Sequence, residues 1–323
     1  SEAAFPVHPQ GVLFRKGKEI MRPSKNKLSK KMRDRLFITL FLLPGLFMIL
    51  VMLYYPAVDG IVMSFQDVKS YNIFSKKFIG LDNYRNLFDN ITYLGTWKNT
   101  VIWVFCCVAI EFLLGFGIAL LLQKPFFGKK LYECVVFMPW ALSGFMVGIM
   151  WKWMFNGSNG VINDILMRLG IVERQVGFLS NPDYALPCVI VAKVWTGMAF
   201  FAIIIMAALK TIPQDMYEAA AIDGAGPLKK FFYITLPSIR VILLLMVLLR
   251  AVQTINAPDL IFGMTQGGPA GSSHIASSYI MTEVVKGNDY GLVSAAGVIL
   301  WLVTLVCTGI YIACTNTLKG GDE

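Results

Sequence analysis

Six long apolar runs dominate this chain of 323 residues and limit what it can fold into. A helix needs about 20 apolar residues to cross the hydrocarbon core of a bilayer. The runs meet that length, and they are Leu36–Phe65, Asn99–Gln123, Leu131–Phe155, Tyr184–Lys210, Ser238–Phe262 and Tyr290–Asn316. Helices satisfy their own backbone hydrogen bonds inside lipid. The sequence therefore predicts an all-α membrane protein with about six transmembrane helices.

Composition and charge favour the same class of protein. Apolar residues make up 56% of the chain and charged residues only 15%, whereas charged residues are about a quarter of a typical soluble domain. The net charge is +9, and much of it lies in a basic arm, residues 1–35, directly before the first run. A basic segment beside a span is typical of the cytoplasmic flank of a membrane protein. We expect membrane lipid, and no nucleic acid, as a partner.

The basic arm also sets the predicted topology, because positively charged flanks stay in the cytoplasm. Alternation then places residues 124–130, 211–237 and the tail 317–323 inside, and residues 66–98, 156–183 and 263–289 outside. Both termini are predicted to be cytoplasmic. The chain is predicted to consist of the arm 1–35, a membrane domain over 36–316 and the tail.

Motifs for catalysis or metal binding are absent from the sequence. The six cysteines lie in or at the ends of apolar runs without metal-ligand spacing, and the two histidines, His8 and His274, are far apart. The chain has no HExxH, GxSxG or GxxxxGK[ST] pattern. We therefore predict no catalytic site, no metal site and no cofactor in this chain, so that any ATP would be bound by another chain.

Five charged residues fall inside the apolar runs, where a charge costs about 2.5–3.5 kcal/mol and usually faces a cavity or a partner. They are Glu111, Lys152, Lys193, Arg250 and Asp259. Lys152 lies between two tryptophans and is interpreted as an interfacial lysine. Lys193 and Arg250 lie deeper. They either face a polar cavity or form internal ion pairs with Glu111 or Asp259.

One polar segment, residues 211–237, interrupts the apolar pattern between the fourth and fifth runs. Thr211 is a candidate helix cap, Pro213 suits a first turn, and Gly224 suits a left-handed helix end. Pro227 is predicted to begin a second short helix that ends at Pro237. The alternative, an amphipathic helix lying on the lipid, fits poorly because the first helix lacks a face of large apolar residues.

Within this loop, Glu218-Ala219-Ala220, Gly224 and Leu236-Pro237 resemble the EAA loop of ABC importer permeases. The later TQGGP stretch (265–269), the PG pair at 44–45 and the segment IGLDNYRNLF (79–88) resemble the carbohydrate branch of that family, typified by the larger maltose permease subunit. The resemblance covers about residues 36–316.

The resemblance implies a type I ABC importer permease fold in a bacterial cytoplasmic membrane. Two homologous permease subunits would form the path, two ATPase subunits would bind ATP and Mg²⁺, and a soluble binding protein would deliver an oligosaccharide for alternating access. It also implies that the ATPase docks on loop 211–237, with Glu218 in electrostatic contact and Gly224 at the bend. The implied coupling residues are Glu218, Ala219, Ala220, Asp223, Gly224, Gly226, Leu236 and Pro237.

The same resemblance assigns substrate contacts to residues of the fourth and fifth runs, namely Lys193, Gly197, Phe200, Phe201, Arg250, Thr254, Asn256 and Ala257. Phe200 and Phe201 suit stacking on a sugar ring. Lys193 and Arg250 depart from the uncharged residues of the neutral-sugar subunit. Because cations bind carboxylates, they favour an acidic oligosaccharide of the alginate or pectin type. A neutral oligosaccharide such as maltodextrin is the alternative if internal ion pairs neutralise both cations.

Two other classes of membrane protein fit the sequence less well. An ion-coupled secondary transporter predicts internal inverted repeats, and no convincing repeat is visible. A non-transport scaffold or receptor subunit would tolerate changes at Glu218 and Gly224. Both leave the features of loop 211–237 unexplained.

Overall fold

The computed structural model describes residues 26–123 and 125–319. Most of the basic arm, Lys124 and the end of the tail lie outside the described residues, so the predicted arm and tail stay predictions. The chain divides into two compact units, 1–57 and 58–323.

The described part of the first unit, residues 26–57, is helical. Helix α1 (Asn26–Ile49) continues through a π-helical stretch (Leu50–Tyr54) into helix α2 (Tyr55–Met63). Its apolar side chains, such as Phe41 and Leu53, are exposed. A long helix with exposed apolar side chains on all sides is expected where lipid or another chain surrounds it.

The second unit contains the remaining elements. A short antiparallel ladder of β1 (Gln66–Asp67) and β2 (Lys77–Phe78) precedes the helices. The helices up to the fourth apolar run are α3 (Asp82–Asp89), α4 (Ile91–Gln123), α5 (Lys129–Phe137), α6 (Gly144–Met154), α7 (Val161–Arg168) and α8 (Pro182–Leu209). The later helices are α9 (Gln214–Ile222), α10 (Pro227–Lys230), α11 (Leu236–Ile255), α12 (Asp259–Met264), α13 (Ala276–Lys286) and α14 (Tyr290–Lys319).

Five helices in the described part of the chain are long and apolar enough to span a membrane, and the number is six if a bent helix pair is counted as one span. The five are Asp34–Met63, Ile91–Gln123, Pro182–Leu209, Pro227–Ile255 and Tyr290–Thr315. The predicted all-α class and the predicted number of spans are confirmed.

The third predicted run, Leu131–Phe155, is not one straight helix. It consists of Lys129–Ala141 and Gly144–Met154, bent by 102°. Leu142 and Ser143 between them have extended backbone. Pro139 contributes to the break because it has no N–H to donate and disfavours a continuous α-helix.

For the fifth predicted run, Ser238–Phe262, both predicted helix ends are wrong. The helix begins at Pro227, runs through a π-helical stretch (Phe231–Thr235) and ends at Ile255. Pro237 therefore does not end a short helix as predicted, because the wider π turn accommodates a proline ring and its missing donor. At the other end, Pro258 disfavours helical backbone at the residue before it and separates α11 from α12.

The core of the second unit lies where α4 packs along α8. Glu111 lies beside Gly197, and Gly115 lies beside Phe201, so residue numbers rise together and the helices are parallel. A Cβ added at Gly115 would lie 2.5 Å from the Phe201 Cβ. Small residues let membrane helices approach closely, and this close packing stabilises helix association in lipid, where burial of apolar surface contributes little. This contact fixes the fourth apolar run against the second.

The stretch after α12 forms a compact turn at residues 265–275. The Asn99 side chain donates hydrogen bonds to the carbonyls of Ser272 and His274, each at 2.9 Å. Gly267 has a positive φ and lies against the His274 ring. Burial and the nearby Lys286 lower the pKa of His274 to about 4. The turn-rich backbone is thus held by α4, as expected for irregular backbone next to membrane spans.

Helices α6 and α12 cross closely at two glycines. A Cβ at Gly148 would lie 2.5 Å from the Leu260 carbonyl oxygen, and one at Gly263 would lie 2.6 Å from the Phe145 carbonyl oxygen. Both neighbours are backbone atoms, which cannot rotate away. The crossing therefore requires glycine at both positions.

We predict that Gly148→Ala destabilises the protein by about 1–3 kcal/mol, the usual range for overpacking a close contact. Gly117→Ala in α4 is the matched control, since no atom lies within 4 Å of its added Cβ. Thermal unfolding of the purified protein in detergent measures both. Equal melting temperatures for the two variants would contradict the close crossing.

Candidate functional site

A buried ion pair joins α4 to α11. Arg250 Nε donates to Glu111 Oε2 at 2.7 Å, and the two side chains are 10% and 0% exposed. The guanidinium carbon lies 5.0 Å from the centre of the Phe200 ring, within the range of a cation–π contact. Internal pairing with Glu111, the alternative that the sequence left open for Arg250, is confirmed.

Gly197 of α8 covers this ion pair. A Cβ at this position would overlap the Glu111 Oε1 atom and lie 2.5 Å from Arg250 Nη2. The Glu111 Oε1 atom is buried without a hydrogen-bond partner among the described residues. The absence of a side chain at Gly197 therefore allows three helices to converge on one pair of charges.

Lys193 lies one helical turn before Gly197 on the same face of α8, as expected for an i, i+4 spacing. It is half-buried, and its ammonium group forms no ion pair or side-chain hydrogen bond with any residue in the described ranges. The charges of Arg250, Glu111 and Asp259 act on it electrostatically. Glu111, Lys193 and Arg250 thus form a cluster of three charged residues. Because Glu111 and Arg250 neutralise each other, Lys193 carries the positive charge of this cluster that is unpaired within the described chain.

Asp259 is the other acidic residue near this cluster. It begins α12, and its carboxylate packs against Gly144 of α6. No ion pair links it to Lys193. The alternative of an internal ion pair for Lys193 is thus not seen with either candidate partner.

The two phenylalanines of α8 differ in accessibility. Phe200 is half-buried and lies under Arg250, whereas Phe201 is fully buried. The Phe201 ring packs edge-on against Phe112 and Phe200, with centroids 5.7 Å apart in both cases. The structure corrects the stacking role predicted for Phe201, because its ring has no open face and instead supports Phe200.

The predicted contacts at the end of α11 lie in different environments. Thr254 is buried, and its Oγ1 has no hydrogen-bond partner among the residues that the structure describes. Its carbonyl accepts a 3.1 Å hydrogen bond from Trp103 Nε1. Asn256 is exposed and donates to the Val252 carbonyl oxygen at 3.1 Å. Ala257 is half-buried in the break before α12. Their substrate contacts stay predictions.

A groove of about 360 Å³ between α6 and α12 was missed by the sequence reasoning. Phe145, Trp153 and Phe262 line it together with the polar side chains of Lys152 and two amides, Asn156 and Gln266. Aromatic side chains with a few polar groups are the usual lining of small-molecule binding sites. Local sequence pattern could not reveal the groove, since its two walls lie more than a hundred residues apart.

Loop 211–237 presents the implied coupling residues on the surface. Glu218, Ala219, Asp223 and Gly226 are exposed, Ala220 is half-buried, and Gly224 is exposed at the end of α9. Gly224 has φ +74°, so the predicted left-handed helix end is confirmed. Leu236 and Pro237 lie in the helix that leads into α11.

The start of this loop differs from the prediction. Thr211 does not cap α9, because its hydroxyl donates to the Ala208 carbonyl at 2.7 Å and Pro213 occupies the capping position. The Tyr217 hydroxyl lies 2.8 Å from Thr235 Oγ1. This hydrogen bond ties α9 to the π-helical start of the following span.

Comparisons with known proteins agree with this geometry. Residues 111–314 match the family described as "Binding-protein-dependent transport system inner membrane component". The chain is 31% identical over 284 residues to the sulfoquinovosyl glycerol transport system permease protein SmoG of Agrobacterium fabrum, covering 88% of this chain and 92% of that protein. It is also 31% identical over 289 residues to the trehalose/maltose transport system permease protein MalF of Thermococcus litoralis, covering 89% and 97%.

The fold matches a solved structure of a bacterial ABC transporter involved in alginate import, with a TM-score of 0.78 and 24% identity over 90% of this chain and 98% of that chain. The predicted type I importer permease fold is thereby confirmed. The chain belongs to the binding-protein-dependent transport system inner membrane component family. It is a permease subunit of an ABC importer, in a family whose relatives include sugar permeases.

We predict that Arg250→Leu destabilises the protein by about 3–5 kcal/mol, because it leaves the Glu111 carboxylate buried without its cation. The double variant Glu111→Leu/Arg250→Leu removes both charges and should recover a large part of that loss. A double-mutant cycle of thermal unfolding in detergent measures the coupling. Simple additivity of the two single changes would show that the pair does not interact.

Proposed function

We propose that this chain forms half of the translocation path of an importer for a saccharide that carries an acidic group. The observation that carries the proposal is Lys193, a half-buried ammonium group without an ion-pair partner in the described chain. It lies one turn from the neutral Glu111–Arg250 pair. An anionic group on the substrate would give this cation its missing partner.

The chemistry of the cluster favours this class of substrate over a neutral one. A hydrogen bond to a charged group contributes about 1.5–3 kcal/mol, and leaving a buried charged group unsatisfied costs at least as much. Phe200 adds a half-buried aromatic ring next to the cations, which suits the apolar face of a sugar. One unpaired cation can pair with one acidic group of the substrate, such as one carboxylate of a uronate oligosaccharide or the sulfonate of a sulfonated sugar.

The relatives provide an example of each substrate class. SmoG is named for sulfoquinovosyl glycerol, an anionic sugar derivative, and the Thermococcus relative for the neutral sugars trehalose and maltose. Import of a neutral oligosaccharide is therefore the second candidate function. Asp259 favours it, since its negative charge acts on Lys193 from α12. Absence of an ion pair between Asp259 and Lys193 makes the acidic saccharide our first choice.

We further infer the assembly in which the chain works. A second homologous permease completes the path, a soluble binding protein delivers the saccharide, and two ATPase subunits bind ATP and Mg²⁺ beneath. The exposed face of α9, with Glu218, Ala219 and the 88% exposed Ile222, suits docking of the ATPase. The charge bias places this loop and both termini on the cytoplasmic side of a bacterial cytoplasmic membrane.

Nucleotide-driven closure of the ATPase dimer would move α9 and rock the spans to which it is tied. Tyr217 links α9 to the start of the Pro227–Ile255 helix, whose other end carries Arg250 and Thr254. One continuous helix thus connects the proposed docking face to the proposed saccharide site. Alternating access follows if the two permeases rock against each other around that site.

We predict that Lys193→Met lowers uptake of an acidic saccharide by proteoliposomes at least about tenfold, the effect of losing about 1.5 kcal/mol. Uptake of maltodextrin by the same variant should not fall. Lys98→Met is the matched control, because Lys98 is exposed near the start of α4. Equal uptake of the acidic saccharide by native protein and Lys193→Met would overturn the proposal.

We predict that Glu218→Arg abolishes co-purification of the ATPase subunits, because it reverses the charge at the proposed docking face. Glu173→Arg makes the same change on an exposed residue far from loop 211–237 and should leave the complex intact. Affinity purification through a tag on this chain measures ATPase recovery. Recovery of the ATPase with both variants would show that Glu218 makes no necessary contact.

A further inference from the structure

A second cavity, of about 540 Å³, lies where α4 and α8 end and α9 begins. Apolar side chains, including Leu122 and Met206, form part of its lining, which we call the floor. Polar side chains, including Gln123, Lys129 and Lys210, form the rest, which we call the rim. The lining is therefore amphiphilic, with apolar side chains and two lysines.

The rim carries positive charge. Lys210 is exposed and forms no ion pair with any residue in the part of the chain that the structure describes. Lys129 is 3.8 Å from Glu133 in a partly exposed i, i+4 pair, a type that contributes little. The two lysines and Glu133 together leave one net positive charge over the cavity.

The cavity borders the loop that we propose as the ATPase docking site. The lining includes three residues of the loop, Pro213, Gln214 and Tyr217, together with the ends of α4 and α8 and the start of α5. A molecule in the cavity would contact α9 and both spans at once. Its presence would hold α9 against the spans that α9 is proposed to move.

We propose that this cavity binds the phosphate headgroup of an acidic phospholipid from the cytoplasmic leaflet. Lys129 and Lys210 would bind the phosphate as point charges, and the floor would receive the glycerol and the start of an acyl chain. Basic pockets at the cytoplasmic side of membrane helices bind anionic headgroups in this way. A free phosphate ion shares the headgroup chemistry but has no use for the apolar floor. The inference rests on the proposed cytoplasmic orientation of loop 211–237.

Native mass spectrometry of the assembled importer tests the site. Complexes are exchanged into phosphatidylglycerol or phosphatidylcholine, and the lipid retained is counted. Native protein should retain phosphatidylglycerol, and Lys129→Gln/Lys210→Gln should bind it at least tenfold more weakly. The matched control is Lys130→Gln/Lys229→Gln, which removes two exposed lysines from the same side without touching the cavity.

The remaining arms separate the sources of the effect. Lys129→Arg/Lys210→Arg should restore retention, which shows that the glutamine variant has not merely misfolded. Equal loss of lipid in the control variant would reveal general surface attraction and overturn the site. Equal binding of inorganic phosphate and phosphatidylglycerol would also overturn it, because the floor would then play no part. The Lys193→Met variant should still retain phosphatidylglycerol, because Lys193 does not line the cavity. The saccharide proposal and the lipid proposal can therefore fail independently of each other.

Discussion

The buried pair of Glu111 and Arg250 is the interaction on which the rest of the site depends. Removing two charges from water is costly, so each ion needs the other in place. The 2.7 Å contact therefore fixes the second apolar span against the fifth. The fourth span can lie across the pair only because Gly197 has no side chain. Three spans are thereby placed in one arrangement.

In this arrangement the two cations of the site differ in whether they have an ion-pair partner. Arg250 is held by a carboxylate and by the Phe200 ring, so its charge is satisfied within the protein. Lys193 has no ion-pair partner among the residues that the structure describes, and we propose that it pairs with the substrate instead. In this proposal, a cation that stays available while its neighbour is neutralised would give selectivity for an acidic group. Arg250 lies on the helix Pro227–Ile255, which begins within loop 211–237. This helix therefore joins the ion pair to that loop.

Much of the fold could be predicted because its determinants are local. Hydropathy located the spans, and the left-handed end at Gly224 followed from residue type. The behaviour of two prolines could not be predicted. A 102° bend lies near Pro139, whereas the helix continues through Pro237. A proline breaks a helix in one backbone context and is accommodated by a wider turn in another. Only the surrounding backbone decides between these outcomes.

The site was predicted less completely, for a physical reason. Sequence showed that Glu111, Lys193 and Arg250 lie in the spans, but which cation pairs with Glu111 depends on the rotation of each helix about its axis. Likewise Phe200 and Phe201 are adjacent in sequence but point to different environments, and only packing buries Phe201. Likewise, no local sequence signal indicates that Lys152 and Phe262 line the same groove between α6 and α12.

The most direct test of this account is a structure of the assembled importer trapped with an acidic saccharide. The distance from Lys193 Nζ to the acidic group of the ligand decides the matter. We expect that distance to be about 2.7–2.9 Å, typical of a charge-assisted hydrogen bond, with Arg250 still paired to Glu111. A Lys193 side chain paired with Asp259 or Glu111, and an acidic group bound elsewhere, would contradict the account.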